Sequence, residues 1–157
     1  MRHPLLRSGI FFAAAFVAFS ASAQNDPAKS GSPQGQAMKI LPEACRKAAQ
    51  GSRMDQTMQT MGGQAAMPMD GMPQANRAYM DAMRDMNPPM MLGMSISDPN
   101  LAFVCSMIPH HQGAIDMAKA ALSSAKDPKV RRMAERTIKE QGKEIEEMSN
   151  MAEKLAK

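Results

Sequence analysis

The sequence predicts an all-α protein, an up-down bundle of about four helices behind a disordered N-terminal leader. Three observations predict it. Two Asp-Pro pairs, Asp98-Pro99 and Asp127-Pro128, each read as a helix N-cap followed by the first helical residue. Apolar residues behind both pairs recur in steps of three and four. No stretch alternates apolar and polar residues as a half-buried strand does.

The first 23 residues read as a secretory signal. Arg2 and Arg7 form a basic start, an apolar run follows from Ile10 to Phe19, and Ala21-Ser22-Ala23 is a small-residue cleavage pattern. The run is shorter than the ~20 residues that span a bilayer. Cleavage near Ala23 would leave no stable membrane anchor and deliver the chain to the periplasm. Residues 24–40 are rich in Pro, Gly, Ser and polar side chains, the composition of a disordered leader. The bundle domain is expected over 41–157.

Within it, Pro42 suits a first helical turn, and the run from Glu43 to Met61 is weakened midway by Gly51-Ser52. Met54, Met58 and Met61 would share one face of it. Residues 62–73 form a long methionine-bearing loop. Pro73 opens a second helix in which Met80, Met83 and Met86 recur every three residues. Pro88-Pro89 is expected to end or sharply kink that helix, leaving Met90, Met91 and Met94 in irregular chain. A third helix is expected from Pro99 to about Ala125 and a fourth from Pro128 to Leu155. Their short connection predicts antiparallel packing.

Composition narrows the function. The net charge of +4 falls to about +2 once Arg2 and Arg7 are removed, and tryptophan is absent. Neither feature suits nucleic acid, which calls for a basic surface or stacking aromatics. The unusual feature is methionine: of 19 residues, all but Met1 lie beyond the signal. A helical core does not call for this, since Leu and Ile pack with better-defined rotamers. Cys45 and Cys105 would meet an oxidising compartment, where a disulfide is the leading reading.

Beyond the signal the chain has two histidines, His110 and His111, within Met107-Ile108-Pro109-His110-His111-Gln112-Gly113-Ala114-Ile115-Asp116-Met117. With Met107 at zero on a helical wheel, His110 falls at about 300°, His111 at about 40°, Ala114 at about 340° and Met117 at about 280°. Two thioethers and two imidazoles thus share an arc of about 120°. Leu101, Val104, Ile108, Ile115 and Leu122 lie beside it as core. Asp116 points away and is not counted as a ligand. Cys105 also lies away, which suits a disulfide or the core. Pro109 costs ~3 kcal/mol in a helix interior and would re-aim its neighbours.

In the last helix Val130, Ala134, Thr137, Gln141, Glu144, Met148, Met151 and Leu155 form a candidate bundle seam. Antiparallel packing would carry Glu144 or Gln141 toward the histidines, to orient an imidazole; solvation of both is the alternative. Thioether sulfur is soft and binds Cu(I), or Ag(I) as a mimic, without losing a proton, while imidazole accepts Cu(I) or Cu(II). Zinc would favour Cys, His and carboxylate clusters.

The Met-Ile-Pro-His-His-Gln-Gly-Ala run, with Met117-Ala118 after it, resembles the signature of the CopM-like family of exported proteins. That family is catalogued as a domain of unknown function, and some members bind copper. Tyr79-Met80, Met83, Met86, Phe103, Ile138, Gln141, Glu144-Ile145 and Met148 fit the same pattern, so the similarity runs from about Tyr79 to Leu155. Cys105 departs from it. The resemblance implies a ferritin-like four-helix bundle, copper binding and a role in copper homeostasis or resistance. Met107, His110, His111 and Met117 are the implied central ligands, with Met80, Met83, Met86 and Met148 in support. The Glu-x-x-His pairs of di-iron bundles are missing here.

The expectation is therefore a periplasmic copper binder, not an enzyme, that sequesters copper or passes it to another copper-handling protein. A copper-dependent oxidase would need an open coordination site and acid/base groups. A metal-free structural or chaperone-like protein with an adaptable Met-rich surface is the third reading.

Overall fold

The computed structural model describes residues 38–60 and 69–157, and every regular element among them is helical. After a single 3-10 turn at Met38–Ile40 come α1 (Glu43–Ala49), α2 (Arg53–Thr60), α3 (Gln74–Met94), α4 (Pro99–Ser124) and α5 (Pro128–Leu155). The expected signal, residues 24–37 of the expected leader, Met61 and residues 62–68 of the expected loop lie outside the described residues, while residues 38–40 of the leader form the 3-10 turn, with Ile40 packed against the core. No helix among the described residues is long and apolar enough to cross a membrane.

Local chemistry sets the boundaries. Gly51, at φ +78°, breaks the first run into α1 and α2, a conformation that costs glycine little. Ser52 then accepts the Asp55 N–H at 3.1 Å, and Asp55 accepts the Gly51 N–H at 3.2 Å, a reciprocal cap. Asp98 caps α4 by accepting from Leu101 N at 2.7 Å. Asp127 caps α5 by accepting from Lys129 N at 2.7 Å and Val130 N at 3.1 Å. Both proline-led helices thus begin where the Asp-Pro pairs predict. Arg131 reaches back across the corner and donates to Leu122 O at 2.6 Å and Ala125 O at 3.3 Å, carbonyls left open at the end of α4.

The expectation that Pro88-Pro89 leaves Met90, Met91 and Met94 in irregular chain is overturned. α3 continues through both prolines to Met94, so Met90, Met91 and Met94 are helical. Tertiary packing offsets the missing N–H groups: Pro89 is fully buried, and so is Pro109 of α4. Gly93 explains how the helices come so close. A Cβ there would stand 2.6 Å from Cys105 C, Cys105 O and Ser106 N. Cys105 O is the carbonyl that Pro109 deprives of its helical donor, and the bare Gly93 backbone packs against it.

Helix α4 is central. It packs extensively on α3 and on α5, while α1 touches α3 and α5 more lightly. Three long helices and two short ones, α1 and α2, thus make up the all-α bundle among the described residues, Gly51 having divided the first expected helix in two. The core joins Leu41, Ala44, Cys45 and Ala49 to Leu92, Ile96, Leu101, Val104, Cys105, Ile108 and Ala152, so it is concentrated at the end where α1 docks. Cys45 and Cys105 are joined there by a disulfide, with Cα atoms 5.6 Å apart and a sequence separation of 60. Closing a loop of that length stabilises the fold by about 4 kcal/mol in the chain-entropy model.

The seam of α5 differs from the expected one. Ala134 and Ala152 are buried, and Ile138, Gln141, Ile145 and Met148 are half-buried between them, again in steps of four and three. Val130, Met151 and Leu155 are exposed. The inward stripe is thus rotated by a fraction of a turn. That rotation keeps Gln141 and Met148 at the contact with α4 and moves Glu144 to its edge.

Candidate metal centre

The histidines sit just beyond the core, on the turn of α4 that follows Ile108. Though adjacent, they go separate ways: their ring centroids are 5.8 Å apart and their planes tilted by 60°. His110 is exposed. The His111 side chain is 13% exposed, and its Nε2 lies 2.8 Å from Glu144 Oε2 on α5. Gln141 donates to the same carboxylate oxygen at 3.1 Å. Glu144 thus holds the imidazole in place from the neighbouring helix.

The other ring nitrogen is the unusual atom. His111 Nδ1 is buried and has no hydrogen-bond partner. In the neutral ring, Nε2 facing a carboxylate carries the proton, which leaves Nδ1 with an unshared lone pair. A buried polar atom without a partner is costly, and native folds rarely leave one. A carboxylate that fixes one nitrogen while the other is free is the second-shell pattern common to histidine metal ligands.

Register indicates which sulfurs accompany it. In an antiparallel pair, moving one turn back on α4 matches moving one turn forward on α5. His111 faces Glu144, so Met107 is level with Met148. Both are half-buried, and Met148 packs against the core. Met107 and Met148 therefore flank the His111–Glu144 pair on the α4–α5 side.

The α3–α4 side gathers a different set. A Cβ on Gly113 would stand 2.6 Å from Met86 Sδ and 3.0 Å from Met86 Cβ and Cγ, so the Met86 side chain lies across this glycine. His110 and Met117 are one turn before and one turn after Gly113 on the same flank of α4. Met83 is exposed and Met80 half-buried, one and two turns further along α3. That places Met80 about 9 Å along the helix axis from Met86 and the Gly113 level, and further still from the histidines. The candidate ligands thus divide into two groups on opposite flanks of α4, where the helical wheel suggested a single arc.

The surrounding polar groups are otherwise engaged. Asp116 accepts from Gln112 at 3.1 Å and pairs with Lys119 at 3.1 Å, as expected of a residue pointing away from the ligands. Among the described residues no three His, Cys, Asp or Glu side chains converge as a metal-binding group. A cation held at His111 would therefore draw its remaining ligands from thioethers. Gly113 and Pro89 were not singled out as contributors. The signal for Gly113 was a glycine inside a strongly helical run, which indicates close approach by a neighbour.

No curated protein matches the chain. A family model described as "Domain of unknown function (DUF305)" matches residues 25–152, which include every described helix up to the last turn of α5. The match covers well over half of the sequence, and the chain belongs to that family.

Proposed function

We propose that this protein binds copper as cargo, chiefly Cu(I), in the periplasm, and either sequesters it or hands it to another copper-handling protein. One observation carries the reading: the buried, unpartnered Nδ1 of His111, whose ring is held through Nε2 by Glu144. Met107 and Met148 are the thioethers the register brings beside it. Neutral sulfur ligands with one imidazole suit a soft monovalent cation, with Ag(I) as a mimic, and Cu(II) binds less readily to such a set. Met86, His110 and Met117, with Met83 beside them, form a second and more open group. It suits weaker, exchangeable binding, as transfer requires. Met80 stands furthest from the histidines.

The reading is of a binder rather than an enzyme. The one polar network at the site, Gln141–Glu144–His111, is occupied in orienting an imidazole. Export rests on the N-terminal signal pattern and on the disulfide, which belongs in an oxidising compartment.

The test is a Cu(I) titration against a chromophoric chelator, under ascorbate and without oxygen, on the chain from Gln24 onward. Wild type retains Cu(I) against the chelator, and His111→Ala loses that retention. A wild-type protein that yields all its copper to a chelator of micromolar affinity defeats the proposal.

A further inference from the structure

The face of α4 turned away from α1 carries a stripe without a charged side chain. Phe103, Met107, His110, Ala114, Met117 and Ala121 follow one another in steps of four and three. Such steps hold the six within an arc of about 80° along about 27 Å of helix. They repeat as the contact positions of a two-helix seam do. The middle of the arc lies about 160° from Cys105, through which α1 is bound to α4, so the stripe looks out on the opposite side. Phe103 is 64% exposed, the most exposed large apolar side chain among the described residues. His110 is exposed, and the other four are half-buried, left partly open between α3 and α5. The edge of α3 beside the stripe is uncharged too. There Tyr79, Met83, Met86, Met90 and Met94 succeed one another in steps of three and four, and the four charged residues of α3 lie elsewhere round the helix.

We propose that a second copy of the chain occupies this face, packed antiparallel about a two-fold axis level with Gln112, and that it completes the open methionine group in trans. Side-chain sizes single out this partner. About such an axis Phe103 of one copy meets Ala121 of the other, Met107 meets Met117, and His110 meets Ala114. Large opposes small in two of these pairs, and flexible thioethers meet in the third. A parallel pair sets Phe103 on Phe103 and Ala121 on Ala121, a clash and a void. One self-complementary patch is what a two-fold dimer requires. Covering Phe103, Met83, Met94 and the half-buried side chains between them removes on the order of 600 Å² per copy from water, the size of a reversible interface.

The shared site rests on the copper reading; the dimer does not. Within one copy His110 and Met117 stand two turns, about 10 Å, apart along α4, and side chains that point the same way along a helix do not close that gap on one ion. Across the axis, His110 of the second copy comes level with Ala114. There it is one turn from Met117 and beside the Met86 side chain that lies on Gly113. Each of two equivalent sites thus joins Met86 and Met117 of one copy to His110 of the other, a thioether–imidazole set for Cu(I) or Ag(I).

The experiment is analytical ultracentrifugation of the chain from Gln24 onward, which contains every described element, first without metal. Wild type dimerises with a Kd of about 10 µM. Phe103→Glu raises that Kd about a hundredfold. Met91→Glu, at an exposed position on the far side of α3, leaves it within about threefold. Phe103→Ala and Ala121→Phe each weaken the dimer about tenfold; combined, they return it to within about threefold of wild type, because the large and small partners are only exchanged. Circular dichroism monitors folding; if Ala121→Phe melts early, Phe103→Glu, at a position open to solvent, decides alone. Ag(I) then tightens the wild-type dimer about tenfold. His110→Ala and Met117→Leu each lose that response, and an equimolar mixture of the two regains it, since the mixed dimer keeps one complete site. A wild type still monomeric at about 100 µM overturns the proposal. So do single losses that the exchange does not repair, and a monomer that Phe103→Glu destabilises, which assigns the face to a segment of the same chain. A mixture without the Ag(I) response overturns the shared site. Failure of the copper reading shows separately, as wild type that yields its Cu(I) to the chelator while the metal-free dimer persists.

Discussion

The two flanks of α4 join their neighbours by different means. Toward α3 the contact is close and made through glycine: Gly93 packs against the Cys105 carbonyl and Gly113 beneath Met86, with Pro89 and Pro109 buried nearby. Toward α5 it is made by side chains, with Glu144 and Gln141 reaching across to His111. The first flank tolerates no added atom at Gly93 and leaves His110 to solvent. The second encloses an imidazole whose Nδ1 has no hydrogen-bond partner. Adjacent residues of identical chemistry, His110 and His111, thus occupy unlike environments, because 100° of helical rotation separates a gap from an interface.

Substitutions can break this comparison or sharpen it. The largest effect on the fold is expected from Gly93→Ala. Its Cβ meets backbone, which cannot rotate aside, so α3 and α4 must separate; a loss of about 3 kcal/mol in denaturant unfolding is expected. A loss below about 1 kcal/mol would show the flank to be more compliant than its spacing implies. On the other flank, Glu144→Gln keeps the shape but removes the carboxylate charge. Cu(I) affinity should fall about 10- to 100-fold in the chelator titration, with little change in unfolding. His110→Ala, in the same assay, should cost less than Glu144→Gln even though it deletes an imidazole. The reverse order would place the principal site on the α3–α4 flank.

Smaller effects follow. Gly113→Ala pushes against the Met86 thioether, which can swing away, so a cost of about 1 kcal/mol is expected, well short of Gly93→Ala. Proton NMR of the methionine methyl groups should show the Met86 signal displaced and those of Met107 and Met148 unmoved. The least effect belongs to the exposed Lys47–Glu43 pair at 2.7 Å, remote from both flanks. Its hydrogen bond and charge lower the Glu43 carboxyl and raise the Lys47 ammonium from their ordinary values. Its contribution is therefore present near neutrality, lost as pH falls through the Glu43 range and lost as pH rises through the Lys47 range. Lys47→Gln should leave the melting temperature at pH 7 unchanged within error, as solvent-exposed pairs usually do.

Much of the fold was legible because it rests on local chemistry. Asp98-Pro99 and Asp127-Pro128 start helices wherever they stand, since the aspartate accepts orphan N–H groups and proline has none to lose. Gly51-Ser52 divides the first helical run for equally local reasons. Pro88-Pro89 misled, because the local cost of a helical proline is real but packing against α4 outweighs it. The α5 seam was displaced because methionine and leucine near a helix end look apolar to a wheel, whether or not a partner helix extends that far. Asp116 turns to Gln112 and Lys119, and Glu144 reaches the His111 imidazole, both in the directions that side chains take on a helix.

What the sequence by itself determined is the set of helices, their caps, the supply of soft thioethers and the existence of an imidazole pair. These depend on spacings of a few residues, within which a helix has little freedom. Only the tertiary structure decided which histidine is enclosed, which nitrogen is left free, how Met86 and Met148 divide between two flanks, and that Phe103 and His110 are left open on one face of α4. Those outcomes depend on the rotation and register of one helix against another. They are set by contacts between residues far apart in the chain, such as Gly93 with Cys105 and His111 with Glu144, which no local periodicity contains.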